Sequence, residues 1–306
     1  MRTQVFHLVS NNIQPLEFSA STLDEMTLRL PDGFYTTFST LKGGTHVLGL
    51  QAHLDRLYRP ANALRIIPSA AEADARHHIA ALAQRYLPSE SRIRLVLTKN
   101  SGDVYIGIQP FAPPPAEIYE KGAHVITTEM TRHDPRIKGT DFIAQSAEQR
   151  KLVKDDVFEI LLTKHGGILE GMTSNFYAVC SVIASEQQRT KQSPAGRIAS
   201  GKKRERPRND GILITARRGI LLGVTRRAVL RLARGEGMPI EYRPPRVDEN
   251  FDEAFLTSSS RGVVPVVRIN GAPVGQGKPG TWTKRLSLAY QAYVEERSEE
   301  ILPYES

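Results

Sequence analysis

Apolar and polar positions alternate in some stretches of the chain and recur at helical spacing in others. Phe34 to Thr40 is rich in aromatic and β-branched residues and predicts a strand with Tyr35, Thr37 and Ser39 on one face. Lys42-Gly43-Gly44 is the turn into a second strand, His46 to Leu50. Gln51 to Ile66 predicts a helix from Leu50, Leu54, Leu57 and Leu64, with Pro60 expected to kink it or begin a new one. Ser69-Ala70-Ala71-Glu72 has the form of a capping box opening a helix that stops before Pro88. Arg92 to Thr98 reads as a strand, with Tyr105 to Gln109 as its hairpin partner and Thr27 to Leu30 as a further short strand.

Pro110-Phe111-Ala112-Pro113-Pro114-Pro115 is the clearest linker, because consecutive prolines are stiff and extended. It divides a small domain over 1–112 from a larger one over 123–306, with 113–122 between them. Beyond it, Ala123 to Thr128, Val157 to Thr163, Asn175 to Val179 and Gly211 to Thr215 predict strands, and Phe142 to Leu152 a helix. Leu169 to Asn175 reads as a tight turn carrying Glu170. Leu221 to Thr225 leads into a helix from Arg226 to Arg234, with Thr225 as N-cap and Gly235 and Gly237 closing it. Phe255 to Gly262 is a strand running into a Ser/Thr loop, and Pro265 to Gly271 suggests a hairpin. Thr281 or Thr283 starts a last helix that runs to about Glu300.

Composition narrows the class. The 306 residues are 40% hydrophobic, enough for a substantial core, and no run approaches the ~20 apolar residues of a membrane span. The opening MRTQVFHLVSNN lacks the apolar centre of a signal peptide. The lone Cys180 excludes an intrachain disulfide, suits a reducing, cytoplasmic setting, and follows an apolar strand as a small buried hydrophobe would. The net charge of +8 is unevenly spread: residues 186–210 hold eight Arg or Lys against three acids. That polar, Ser/Pro/Gly-containing insertion reads as a mobile solvated loop. It lacks the interleaved aromatics and the fold motifs of a nucleic-acid site, although an acidic partner or RNA is its alternative use. The eight histidines, His77 and His78 included, form no metal-ligand spacing, so no metal is expected.

Candidate chemistry concentrates between Arg136 and Val179. Lys138 lies in a Gly-containing segment, Ile137-Lys138-Gly139-Thr140, and Glu170 follows within the same scaffold. A buried amine and a buried carboxylate are the pair a pyridine aldehyde cofactor needs. The amine forms a Schiff base with the aldehyde, and the carboxylate keeps the ring nitrogen protonated. Arg92 and Arg94 share one strand face, a costly arrangement unless they meet anions. A substrate carboxylate and an ion pair with Asp or Glu satisfy that demand equally.

The pieces IKGTDF, GGILEGMTSNFYAV, LGVTRRAVL and EAFLTSSSRGVVPV, with DGFYTTFSTL and HLDRLYRPANAL before them, resemble the fold-type IV pyridoxal-phosphate enzymes. That family holds the branched-chain aminotransferases, the D-amino acid aminotransferases and the aminodeoxychorismate lyases. The pieces occur in the family's order and cover most of the chain. The resemblance implies an α+β fold of two domains, a small α/β one and a larger β-barrel-like one, with pyridoxal 5′-phosphate between them. Lys138 would carry the cofactor and Glu170 would meet its ring nitrogen. Arg56, Val224, Thr225, Ser258 and Ser259 would anchor its phosphate. Tyr35 and Thr37, with Arg92, Arg94, Ser259 and Ser260, would border the substrate. A homodimer is implied too, with small amino acids and 2-oxo acids as partners and neither membrane nor nucleic acid.

The implied reaction is amino transfer between an amino acid and a 2-oxo acid. Branched-chain substrates rank first, ahead of the lyase and then of D-amino acid or (R)-amine transamination. Two departures weaken a plain branched-chain assignment. Ser39 stands where branched-chain enzymes often carry arginine, and the tyrosine they have before the helix at Phe142 is missing. Tyr35-Thr36-Thr37 resembles the lyases. A binding protein on the same scaffold, using its basic loop, is the reading from a different class, and an intact Lys138 and Glu170 oppose it.

Overall fold

The computed structural model describes residues 2–10, 12–18, 20–181 and 211–301; the basic insertion 186–210 lies outside the described residues. The first half builds an antiparallel sheet. Its strands are β1 (Gln4–Val9), β2 (Asn12–Pro15), β3 (Gly33–Ser39), β5 (Ser91–Thr98) and β6 (Val104–Pro110), in the order β2-β1-β6-β5-β3. Alternation sorts the two faces of β3. Phe34 and Phe38 pack with Ile93, Leu95 and Leu97 beneath the helices Leu50–Ala63 and Glu72–Gln84. Tyr35 turns the other way, toward Leu23, Met26 and Val96.

The second half builds a larger curled sheet. It comprises β7 (Ala123–Glu129), β8 (Val157–Lys164), β9 (Gly167–Gly171), β10 (Asn175–Ser181), β11 (Gly211–Thr215), β12 (Ile240–Tyr242), β13 (Glu253–Ser258) and β14 (Gly262–Ile269), with the short β15 (Ala272–Pro273) on β14. The order is β12-β11-β10-β13-β14-β7-β8-β9, and the edge strand β9 returns against β10. Val125, Leu161, Phe176, Leu256 and Val264 fill its core. The helices Val224–Gly235 and Thr281–Arg297 cover its outside through Val229, Leu286 and Tyr290 against Tyr177 and Phe255. β16 (Ser298–Glu300) leaves the last helix and pairs with β4 (His46–Leu48) in the first half.

The lysine segment joins the halves. Strand β3 is a sheet edge, and its open side accepts residues 138–140 as a short extra strand. Tyr35 N donates to Lys138 O (2.9 Å), Thr140 N donates to Gly33 O (2.9 Å), and Gly33 N donates to the Thr140 hydroxyl (2.8 Å).

Several local expectations need correction. Thr27 and Leu28 end a helix, Leu23–Leu28, and form no strand, because Thr22 caps it by accepting from Glu25 N. The helix at Leu50–Ala63 continues through Pro60, so no new helix begins there. Ser69 caps nothing. Its hydroxyl donates to Leu8 O, and the helix at Glu72 opens with Asp74 accepting from Ala71 N. Residues 113–122 are not wholly extended: Pro115 starts the helix Ala116–Lys121, and Gly122, at φ +87°, ends it. The predicted helix over Phe142–Leu152 is two short ones, Asp141–Gln145 and Ala147–Arg150, where the Ser146 hydroxyl donates back to Phe142 O. Thr225 lies inside its helix, whose cap is Gly223. The last helix stops at Arg297, short of Glu300. Glu170 sits on β9 and not on a turn; the turn is at His165-Gly166, both with positive φ.

Candidate active site

A cavity of about 290 Å³ lies where the two halves meet. It is lined from the first sheet by Tyr35, Thr37, Arg92 and Arg94, from the helix Leu50–Ala63 by Arg56, and from the joining segment by Lys138. From the second half come Glu170 on β9, Val224 and Thr225 at a helix start, and Ser258, Ser259 and Ser260 after β13. Every site residue expected from sequence therefore faces one cavity.

Lys138 holds its ammonium position 4.7 Å from the centroid of the Tyr35 ring. Burial, followed by the charges of Arg56, Arg94, Arg132 and Arg92, pushes its pKa well below the usual lysine value. Glu170 is 1% exposed. One carboxylate oxygen accepts from Arg132 Nε at 2.7 Å; the other accepts from Leu221 N at 3.0 Å and weakly from Asn175 Nδ2 at 3.5 Å. Burial raises the Glu170 pKa, while Arg132 and the hydrogen bonds hold it down. Arg132 is itself fixed by Met172 O at 2.8 Å and lies 3.7 Å from the centroid of the Phe142 ring.

The opposite end is built for an anion. Arg56 donates to Leu222 O at 2.9 Å and has no carboxylate partner among the described residues; burial lowers its pKa to about 10. The helix Val224–Gly235 starts at Gly223 with no side-chain cap, leaving its first amides available. A Cβ on Gly223 would run into the Asn175 side chain, which donates to Leu221 O at 2.8 Å, so glycine permits this close approach.

The two strand arginines differ in their partners. Arg94 is committed to Asp24 Oδ1 (2.7 Å), Leu23 O and the hydroxyls of Thr27 and Thr37. Arg92 makes no ion pair among the described residues, and its buried Nε lacks a partner. Burial, then Arg94 and Arg261, lowers its pKa to about 10. Arg261 is held by Glu159 (2.7 Å), Thr173 and Ser258.

Sequence reasoning missed Arg132, Asp24, Asn175 and Arg261. Arg132 stands in a loop with no periodic signal. Asn175 was legible only as the first residue of a strand. Cys180 is buried in the core with its thiol pushed up to about 12, as a packing residue should be. No group of metal-ligating side chains occurs among the described residues, and none of their helices is long and apolar enough to cross a membrane.

The model of the family described as amino-transferase class IV matches residues 33–269. The chain belongs to that family. It is 25% identical over 286 residues to a D-alanine aminotransferase of Bacillus licheniformis, covering 89% of this chain and 91% of that one. A probable branched-chain-amino-acid aminotransferase of Thermotoga maritima is 30% identical over 212 residues, 67% of this chain and 66% of that one. Among solved structures, a putative branched-chain amino acid aminotransferase from Thermotoga maritima superposes with a TM-score of 0.71 at 25% identity, covering 95% of this chain and 96% of that one. A hypothetical aminotransferase from Mycobacterium tuberculosis in its PLP-bound form superposes with a TM-score of 0.68 at 18% identity, over 96% and 100% of the two chains.

The fold expectation therefore holds, and the chain is an aminotransferase of a class that works with pyridoxal 5′-phosphate. The cavity fits that group: it offers a buried carboxylate, an amine with a depressed pKa, and an uncapped helix start beside an arginine without a counter-ion.

Proposed function

We propose that this chain moves an amino group between an amino acid and a 2-oxo acid, with Lys138 as its catalytic lysine. The observation that carries this is the buried Arg132–Glu170 pair in the same cavity as the amine of Lys138. When bound, pyridoxal 5′-phosphate supplies the electron sink that makes the substrate α-proton removable. Arg56, the amides of Val224 and Thr225, and Ser258 and Ser259 bind its phosphate. Glu170, kept anionic by Arg132, holds the proton on the ring nitrogen. Lys138, whose pKa the site depresses, would be the base that takes and returns the substrate α-proton. Tyr35 and Thr37 wall the substrate side, Arg94 braces Thr37 and Asp24, and Arg92 takes the substrate carboxylate with Ser259 and Ser260.

Branched-chain amino acids lead as substrates, with D-amino acids next, as the relatives' names suggest. The lyase reading keeps one supporting observation, the Thr37 hydroxyl on the cavity wall. The deciding experiment is the visible spectrum of the purified protein before and after L-leucine and, separately, D-alanine. A Schiff-base band that is absent in Lys138→Ala and bleached by one donor supports amino transfer and assigns the stereochemistry. A band that neither donor changes favours the lyase or an amine donor, and no band after supplying pyridoxal phosphate sinks the enzyme reading. We also propose a cytoplasmic homodimer of the 34.0 kDa chain; light scattering that returns the mass of a single chain overturns the dimer.

A further inference from the structure

A second cavity, also about 290 Å³, abuts the first. Val224, Thr225, Ser259, Ser260 and Arg261 line both and form the wall between them. Its remaining lining is largely apolar and aromatic: Phe38, Leu41, Leu48, Tyr119, Tyr290 and Val294. Its polar members are Ser39, Ser287, Gln291 and His53; burial above all holds the His53 pKa well below the ordinary imidazole value, and Arg261 is already bound to Glu159 and Thr173, so an uncharged group suits the cavity.

Strand β3 runs from one cavity to the other. Thr37 lines the first and Ser39, on the same face and two residues on, lines the second. The step between them is about 7 Å. Ser39 pairs with Arg92 across the strands, as Thr37 pairs with Arg94. At this junction the Arg92 Nε and the Ser39 Oγ are both buried without partners. Buried polar atoms without partners are uncommon, and these two belong to residues paired on neighbouring strands. The first cavity lies near the ~300 Å³ lower bound of small-molecule sites, so the cofactor leaves little space there for a large substrate side chain.

We propose that the second cavity is the far compartment of the substrate site. Its occupant is an uncharged apolar arm of ring size, carried by a substrate whose carboxylate Arg92 holds at the junction. Among donors, those with a large apolar side chain, leucine and phenylalanine, are then preferred to alanine. This rests on the amino-transfer reading for the reaction but not for the binding.

The test is calorimetric binding of 3-phenylpropanoate and of propanoate to the cofactor-loaded protein. The wild type should bind the phenyl compound at least tenfold more tightly. Val294→Trp or, independently, Ser287→Trp fills the cavity from the last helix; either should bring the ratio near one and keep the visible cofactor band as evidence of folding. A wild-type ratio near one overturns the proposal, as does a ratio unchanged by both substitutions. The same variants should lower kcat/KM for phenylalanine at least tenfold and leave alanine within about twofold. If no amino donor bleaches the band while the binding ratio behaves as stated, amino transfer fails and the compartment stands.

Discussion

The pair Arg132 and Glu170 shows how single residues set the chemistry. Their side chains are 4% and 2% exposed, so neither charge has water to fall back on. Removing one partner of such a pair costs about 3–5 kcal/mol, because the other stays buried and unpaired. Arg132→Met should therefore lower stability by that order and weaken cofactor binding, read by denaturant unfolding and by titration of the visible band. The loss depends on pH in a defined direction. Burial raises the Glu170 pKa above the ordinary carboxylate value. The cost of its charge is then absent below that value and complete above the raised one. Without Arg132 the window extends upward, so the penalty should be larger at pH 8 than at pH 5; equal penalties would refute this account. Lys138 has the opposite sign. Its pKa is depressed, so folding opposes a proton that the unfolded chain holds at neutral pH. Lys138→Met should raise the melting temperature of the cofactor-free protein at pH 7, and the gain should vanish as pH approaches the ordinary lysine value.

At the scale of elements, the open edge of β3 positions the segment that carries Lys138. A Cβ on Gly33 would sit on the Leu97 carbonyl of the neighbouring strand, which cannot move alone, whereas one on Gly139 meets only the Asp141 side chain. Gly33→Ala should fail to yield folded protein, and Gly139→Ala should fold and keep the cofactor band, as circular dichroism and absorbance can check. Thr140→Val should cost about 1–3 kcal/mol, because the Gly33 amide loses its acceptor. The strands were legible because Phe34–Thr40, Arg92–Thr98 and Gly211–Thr215 carry β-branched residues or strict alternation. Local chemistry misled elsewhere. Thr27–Leu30 looked extended, yet Thr22 caps a helix there by accepting from Glu25 N, and the Glu25 carboxylate accepts from Ser21 N just before it. Lys138, Glu170 and Arg56 were legible through the company of their motifs. Arg132 was not, because a loop arginine acquires its role only when the chain folds back on β9.

For the molecule as a whole, the cavity is a joint between two separate cores. The first holds Phe38, Leu54 and Ile93; the second holds Leu161, Phe176 and Val264. The direct bonds between them gather in a few places: the 138–140 segment on β3, the β4–β16 pairing with Lys42 on Glu295 and Leu50 N and Arg76 on Glu299 beside it, Arg150 on Asp24, and Arg56 on Leu222. A ligand held at one end by Arg56 and at the other by Glu170 ties both cores and stabilises the folded state by about 2.7 kcal/mol at a hundred times its Kd. Calorimetry of the cofactor-free protein should show a broad or double transition, which pyridoxal 5′-phosphate sharpens and moves upward. Inorganic phosphate, which reaches only the Arg56 end, should raise the melting temperature less and leave the transition broad. Lys138→Ala should retain part of the shift, because the phosphate and ring contacts persist without the covalent link. If phosphate alone reproduced the full effect, the stabilisation would come from the helix start and Arg56, and Glu170 would have no part in joining the halves.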